Sequence, residues 1–243
     1  MVLIHDKRIP GKYILRLKER LPEAEFVPFG GMNGPEAVYG SILCHPDIYF
    51  FRSGPCSVVH SPGLPPEVLD VISHNGIELV EGREPPRGKY PGTTRYNAAR
   101  VGRWVFLNTR FADPAVLEEI NERGLSAVHV EQGYSRCSVF PVDEGSFITN
   151  DDVIAREGME RGLDVLSISP SGIELPGERH GFIGGTGEVS DRALIFAGDP
   201  AEHAEGEKIL SFISKSGKEH VFVPEEPLYD CGTMMLFGDP GRY

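Results

Sequence analysis

The chain has 243 residues and a formal net charge of −12 at pH 7. A chain of this length buries about 70–75% of its unfolded surface, so it can fold stably without a disulfide or a structural metal. It has no run of 18 apolar residues and no charged-then-apolar leader, so we expect a cytoplasmic protein without a membrane span. The negative charge disfavours nucleic acid and anionic membranes as partners, because their phosphates would be repelled. The net negative charge is compatible with a cationic substrate, or it serves solubility alone.

Extended segments and short helices alternate along the chain in five similar units. The chain begins with a predicted strand (2–5), helix (11–20) and strand (25–28). Four further units are predicted in chain order: strand 48–51, helix 67–75 and strand 77–80; strand 104–108, helix 115–123 and strand 127–130; strands 137–140 and 146–150, helix 151–161 and strand 164–168; strand 193–197, helix 205–214 and strand 220–223. A strand at 233–237 completes the first unit from the other end of the chain.

The spacing of the units predicts a ring. We take the aromatic or aliphatic residues Leu3, Phe51, Phe106, Phe147 and Phe196 as equivalent, which gives steps of 48, 55, 41 and 49 residues, and 50 across the termini. A repeat of this length is a sign of a repeating architecture. The expected fold is therefore α/β, a single domain over residues 1–243. It is a five-bladed α/β propeller of ββαβ repeats, closed by pairing of the N- and C-terminal strands. An ordinary α/β sandwich with chance periodicity is the alternative.

Helix ends agree with this division. Asp113-Pro114 and Asp199-Pro200 combine a capping Asp with a Pro that suits the first helical position. The carboxylate of Asp151 suits another helix start, where the helix dipole favours negative charge. Glycines that follow the predicted helices, at positions suited to a left-handed residue, are Gly76, Gly124, Gly162 and Gly217.

The residues that open the inner strands should lie together near one mouth of the central axis. These residues are Tyr39, Asn97, Arg136 with Cys137, His180, and Asp230 with Cys231. We predict Cys231 as a nucleophile and His180 as its base, because a thiol near an imidazole can be held as a thiolate. Asn97, Arg136, Cys137 and Asp230 are the predicted substrate-binding residues. The alternative is that one or both cysteines simply pack beneath a strand.

Three other features of the sequence do not indicate a metal, disulfide or phosphate site. The cysteines form no C-x-x-C pair, so we expect free thiols in a reducing cytoplasm. Cys44-His45-Pro46-Asp47 holds three possible metal ligands, but Pro-Asp between strands is ordinary turn chemistry. The glycine-rich stretch 181–187 opens no helix, so we interpret it as a hairpin with close backbone packing and not as a phosphate loop. We expect no metal and no cofactor.

The five-unit ββαβ ring resembles the pentein, or guanidino-group-modifying-enzyme, fold. This superfamily includes arginine, agmatine and peptidyl-arginine deiminases, dimethylarginine hydrolases and amidinotransferases. Cys231-Gly232-Thr233 is similar to the family's Cys-x-Thr nucleophile motif, which implies that the Cys231 thiolate would attack a guanidinium carbon. The whole chain looks most like a bacterial domain family of unknown function assigned to this fold.

The sequence also departs from the family's pattern. Asp230 stands where a His usually precedes the nucleophile. Arg136-Cys137-Ser138 matches the place of a His-x-Asp or His-x-Glu motif, and Thr94-Arg95-Tyr96-Asn97 matches that of an acidic Glu-Gly-Gly-Asp-like stretch. An Arg in the pocket would repel a guanidinium cation, so a neutral or anionic substrate held by Arg136 is a further expectation.

Two functions from different classes follow. The first is a cysteine-dependent hydrolase or transferase acting on a small amidine-like, guanidine-like or amide substrate. The second is a non-catalytic ring that binds a small molecule or a protein, for which a ribosome anti-association factor of this general fold is an analogy. A small-molecule ligand is the expected partner, and the chain could form an oligomer.

Overall fold

A computed structural model describes residues 1–32 and 37–238. Its strands, in chain order, are β1 (Val2–Asp6), β2 (Glu25–Phe29), β3 (Phe50–Gly54), β4 (Ser57–His60), β5 (Glu78–Glu81), β6 (Ala99–Val101), β7 (Trp104–Leu107), β8 (Ser126–His129), β9 (Val139–Pro141), β10 (Ser146–Thr149), β11 (Asp164–Ser167), β12 (Ile173–Glu174), β13 (Gly187–Val189), β14 (Ala193–Phe196), β15 (Glu219–Val221), β16 (Leu228–Tyr229) and β17 (Met235–Phe237). Its α-helices are α1 (Gly11–Arg20), α2 (Pro66–His74), α3 (Pro114–Glu122), α4 (Ser135–Ser138), α5 (Asp152–Glu160) and α6 (Gly206–Ser214).

Within the described residues, five three-stranded sheets repeat one topology. In each sheet the first strand pairs antiparallel with the second, and the second pairs in parallel with the third after a crossover helix. The sheet orders are β17-β1-β2, β3-β4-β5, β6-β7-β8, β9-β10-β11 and β13-β14-β15. The antiparallel pairing of β1 with β17, with Leu3 opposite Leu236, confirms that the two ends of the chain share one unit.

The core of the part of the chain that the structure describes is divided among five hydrophobic clusters, and each lies between two units. The alternation of side chains along a strand explains this arrangement. On β1, Val2 and Ile4 pack toward β3 and α2, whereas Leu3 between them packs toward β14 and β15. The other clusters join the second unit to the third, the third to the fourth, and the fourth to the fifth. Every unit therefore buries both faces of its sheet against a neighbour. Within the described residues, no helix is both long and apolar enough to cross a bilayer.

The strand predictions were wrong in three places, one of which is the start of the last strand: β17 begins at Met235, two residues later than predicted. The segment 48–51 was aligned with the second strands, but Phe51 lies on β3, a first strand, and the second strand β4 was missed. The short connection Pro55-Cys56 between β3 and β4 explains the error, because the two strands read as one irregular segment. Cys137 was predicted to lie on a strand, but it lies on the short helix α4 and β9 begins only at Val139.

Helix ends were predicted more accurately. Gly76, Gly124, Gly162 and Gly217 all have positive φ, as expected for residues that end helices. Asp113 caps α3 by accepting a hydrogen bond from the Ala115 amide. Asp199 caps a short 3-10 turn over Pro200–Glu202, and α6 starts only at Gly206.

The two Asp-Pro caps allow a matched test, because Asp113 has a second task. Its fully buried carboxylate also accepts hydrogen bonds from the backbone amides of Arg83 and Glu84, in the loop after β5. We expect Asp113→Ala to destabilise the fold by about 3 kcal/mol, since buried donors lose their acceptor. Asp199→Ala should cost only about 1 kcal/mol, the value of an ordinary cap. Urea unfolding measures both, and equal losses would contradict this role of Asp113.

Candidate functional site

A cavity of about 290 Å³ opens at the segments that precede the first strands. Its ionisable lining consists of the Cys137 thiol, the imidazoles of His45 and His180, the carboxylates of Asp230 and Glu178, and the Arg179 guanidinium. Tyr39, Tyr134 and Phe182 supply aromatic walls. The loop before α4, the loop before β13 and the segment after β16 therefore converge here, as the repeat predicts.

Cys137 is the cysteine that lines this cavity. Its side chain is buried, and its thiol donates a hydrogen bond to Asp47 Oδ2 at 3.0 Å. Asn97 Nδ2 donates to the same sulfur at 3.2 Å, while Asn97 Oδ1 accepts from the Arg136 amide at 2.7 Å. Burial, followed by the charges of Asp47 and Asp230, raises the pKa of the Cys137 thiol well above its usual value. The resting thiol is therefore protonated.

Asp47 and His45 come from one short turn, Pro46–Ile48 and the residue before it. Asp47 is fully buried, and its Oδ2 lies 3.2 Å from the Thr233 hydroxyl as well as beside the Cys137 thiol. His45 lies between two carboxylates, with Nε2 3.8 Å from Asp6 Oδ2 and Nδ1 4.0 Å from Asp230 Oδ1. Asp47 Oδ1 and His45 Nδ1 have no hydrogen-bond partner among the described residues. Buried polar atoms of this kind are rare and indicate a position where a ligand or water can bind.

Asp230 is held by backbone amides. Its Oδ2 accepts from the Phe182 amide at 2.8 Å and its Oδ1 accepts from the Gly232 amide at 3.0 Å. A Cβ on Gly185 would lie 1.9 Å from Oδ1, so a glycine is required there. Burial raises the pKa of Asp230; the nearby His45 opposes this shift and Asp47 adds to it. Close packing around Asp230 explains part of the glycine-rich stretch 181–187, although it forms a 3-10 turn before β13 and not a simple hairpin.

Two predicted site residues turn away from the cavity. The Cys231 thiol is fully buried in a hydrophobic cluster with Leu3 and Met234, and it donates to Gly185 O at 3.3 Å. Burial first, then Asp230, raises the pKa of Cys231 well above its usual value. The predicted role of Arg136 in holding substrate is not supported. Its guanidinium donates to two backbone carbonyls at 2.8 Å and lies 3.9 Å from the Glu188 carboxylate.

His180 lies among the cavity residues but is less enclosed than His45. It is half-buried, its Nδ1 lies 3.1 Å from Gly181 O, and its ring packs edge-on against Phe182. The sequence reasoning missed His45, Asp47 and the placement of Thr233. Cys44-His45-Pro46-Asp47 was interpreted as a turn, yet it immediately precedes the first strand β3, the same position as the other site segments. Within residues 1–32 and 37–238, no group of three or more His, Cys, Asp or Glu could hold a metal ion.

Comparison with solved structures defines the class of fold. DDAH from Pseudomonas aeruginosa, a cysteine-to-serine variant complexed with citrulline, is 8% identical with a TM-score of 0.53, and 92% of each chain is covered. SxtG, an amidinotransferase from Microseira wollei in the saxitoxin biosynthetic pathway, is 10% identical with a TM-score of 0.56, covering 99% of this chain and 95% of its own. A dimethylarginine dimethylaminohydrolase adduct with S-methyl-L-thiocitrulline is 9% identical with a TM-score of 0.53, covering 91% of each chain. The chain therefore has a mixed α/β fold of the pentein type.

A protein-family profile matches most of the chain. Residues 6–235 match the profile of DUF6873, a family of unknown function, and the chain belongs to this family. No curated protein matches the sequence.

The packing around Asp230 gives a direct test of the site. We expect Gly185→Ala to lower the unfolding free energy by about 2–3 kcal/mol, because the new methyl group overlaps the Asp230 carboxylate. Gly11→Ala is the control: no atom lies within 4 Å of the added Cβ, and Ala favours the helix by up to about 1 kcal/mol. Urea unfolding of both variants measures the difference. A Gly185→Ala protein as stable as wild type would contradict the described packing.

Proposed function

We propose that the chain binds a small cation of the amidine or guanidine type in this cavity, and that the Cys137 thiol reacts with it. The activity would be that of a cysteine-dependent hydrolase or transferase. The observation that carries this proposal is the Cys137 thiol, which lies in the cavity wall 3.0 Å from the Asp47 carboxylate. This geometry favours Cys137 over Cys231 as the nucleophile. The proposal includes a closed five-bladed propeller, supported by the contacts between successive first strands and by Arg52 over the ring of Phe237.

The charge of the site favours a cation. Asp230 and Glu178 line the cavity, and the buried carboxylates of Asp6 and Asp47 lie directly behind its lining, beside His45 and Cys137. The basic groups nearby are Arg179, His180 and His45 in the lining and the Arg8 guanidinium, which pairs with Asp6. A planar cation with several N–H donors would satisfy the unpaired Asp47 Oδ1 and approach Asp230. It would also lower the pKa of Cys137, because its charge opposes the carboxylates that raise it. The likeness to an amidinotransferase supports this class of ligand.

The proposed reaction conserves every proton. The Cys137 thiol proton moves to Asp47 Oδ2 as sulfur forms a bond to the central carbon of the cation. The bond from that carbon to the leaving nitrogen then breaks, and Asp47 returns the proton to this nitrogen. Water, in a hydrolase, or an amine, in a transferase, then attacks the carbon and breaks the carbon–sulfur bond. We assign His180, at the cavity lining, as the base that takes the proton from the attacking group and then returns a proton to the Cys137 sulfur as the carbon–sulfur bond breaks.

A second candidate function is binding without chemistry. The raised pKa of the Cys137 thiol favours it, since a protonated thiol is a poor nucleophile. The two functions differ in what a bound cation does to that thiol: catalysis requires that the cation activates it, whereas simple binding does not.

Matched alkylating reagents test the proposal. 2-Chloroacetamidine is cationic and 2-chloroacetamide is its neutral counterpart, and peptide mass spectrometry follows labelling of each cysteine. The half-buried Cys56 serves as an internal reference for intrinsic reagent reactivity. We expect Cys137 to prefer the cationic reagent by about tenfold more than Cys56 does, because the carboxylates attract the amidinium and the cation ionises the thiol. Asp230→Asn should weaken this preference.

Two controls complete the experiment. Cys137→Ser should abolish the selective labelling, while Cys231→Ala should retain it despite a loss of about 1 kcal/mol in stability. A Cys137 preference equal to that of Cys56 would eliminate the cation site. If acetamidine raises the melting temperature but Cys137 stays unlabelled, the binding-only function is correct.

A further inference from the structure

Thr233 has an unusual backbone conformation. Its φ is +67°, in the left-handed region that β-branched residues avoid because of steric strain. Among the described residues, Glu225 is the other non-glycine residue with positive φ, and it is exposed on a loop. Thr233 is instead fully buried. Strain in a buried residue persists only where its surroundings enforce it, which suggests that the conformation has a purpose.

The left-handed turn holds Asp47 at both its backbone and its side chain. Gly232 precedes Thr233 with a φ of +65°, and its carbonyl accepts a hydrogen bond from the Asp47 amide at 3.0 Å. The Thr233 hydroxyl lies 3.2 Å from Asp47 Oδ2. The Thr233 amide donates to Gly185 O at 3.1 Å, which fixes the turn against the 3-10 segment before β13.

The hydroxyl of Thr233 contacts the same carboxylate oxygen of Asp47 as the thiol does. Asp47 Oδ2 receives both the Thr233 hydroxyl and the Cys137 thiol, whereas Oδ1 is unpaired. Gly184 O, 3.1 Å from the same hydroxyl, competes for its single hydrogen. Without the hydroxyl, the Asp47 side chain would lose its second contact at Oδ2 and could rotate about its terminal torsion. The thiol would then lose its aligned proton acceptor.

We propose that Thr233 is a positioning residue that holds Asp47 Oδ2 against the Cys137 thiol, at the cost of a strained backbone. This inference rests on the proposed function, because it assigns Asp47 as the proton acceptor of that thiol. Thr233 acts through Asp47, and it is not itself among the residues that line the cavity. The threonine of Cys231-Gly232-Thr233 thus serves a cysteine from another unit.

The test compares two substitutions that differ in the hydroxyl. Thr233→Val keeps the shape and the β-branch but removes the donor; Thr233→Ser keeps the donor. The measured quantity is the rate at which 2-chloroacetamidine labels Cys137, divided by the rate at Cys56. We expect Thr233→Val to lower this ratio by about tenfold or more, the effect of a lost hydrogen bond to a charged group. Thr233→Ser should stay within about threefold of wild type.

Stability measurements separate positioning from packing. If circular dichroism shows that Thr233→Val is unfolded, Thr233→Gly takes its place, because glycine accepts a positive φ without strain. The same loss of labelling is expected from it, without a matching fall in the urea midpoint. A Val or Gly variant labelled as fast as wild type would overturn the role of Thr233 alone. A wild-type Cys137 without cation preference would overturn the proposed function, and this inference with it.

Discussion

The contact on which the site depends is the hydrogen bond from the Cys137 thiol to the buried Asp47 carboxylate. A carboxylate removed from water is costly unless its oxygens are satisfied. Asp47 has two hydrogen-bonding groups, a thiol and a hydroxyl, at one oxygen and none at the other, and the buried carboxylates of Asp6 and Asp230 lie nearby on either side of His45. Burial first, and then the charges of Asp47 and Asp230, raise the pKa of the Cys137 thiol, and the cation that we propose as ligand would offset that charge. In the proposed function, the same buried carboxylates therefore affect both the protonation of the thiol and the charge of the ligand that would bind.

The fold explains how such distant residues meet. Each unit reaches the first strand of its sheet through a short segment outside the sheet, either a loop or a single helical turn, and these segments lie side by side. His45 and Asp47 precede β3, Asn97 precedes β6, and Cys137 precedes β9. The backbone amides of these segments are not used in pairing between strands, so they can donate hydrogen bonds to side chains. The amides of Phe182 and Gly232 donate to the Asp230 carboxylate in this way. The close approach of these segments is possible because glycines stand where a Cβ would overlap a neighbour.

The sequence predicted the repeat, the helix ends and the convergence of Asn97, Cys137, His180 and Asp230, because these follow from periodicity and from glycine and proline chemistry. It did not predict the directions of the Cys231 and Arg136 side chains. Those depend on local torsions, including the left-handed pair at Gly232 and Thr233, and on which backbone carbonyls happen to be nearby. His45 and Asp47 were missed because Pro-Asp is so common in turns that it carries little functional information. Asp47 therefore supplies a carboxylate from a turn that was interpreted without a functional role.

The most direct measurement of the central claim is the ultraviolet absorbance of the Cys137 thiolate as acetamidine is added at neutral pH. If the cavity binds a cation that offsets Asp47 and Asp230, the absorbance will rise with acetamidine until the site is saturated, and Cys137→Ala will show no rise. An unchanged absorbance in the wild-type protein, or an equal rise in Cys137→Ala, would contradict this account.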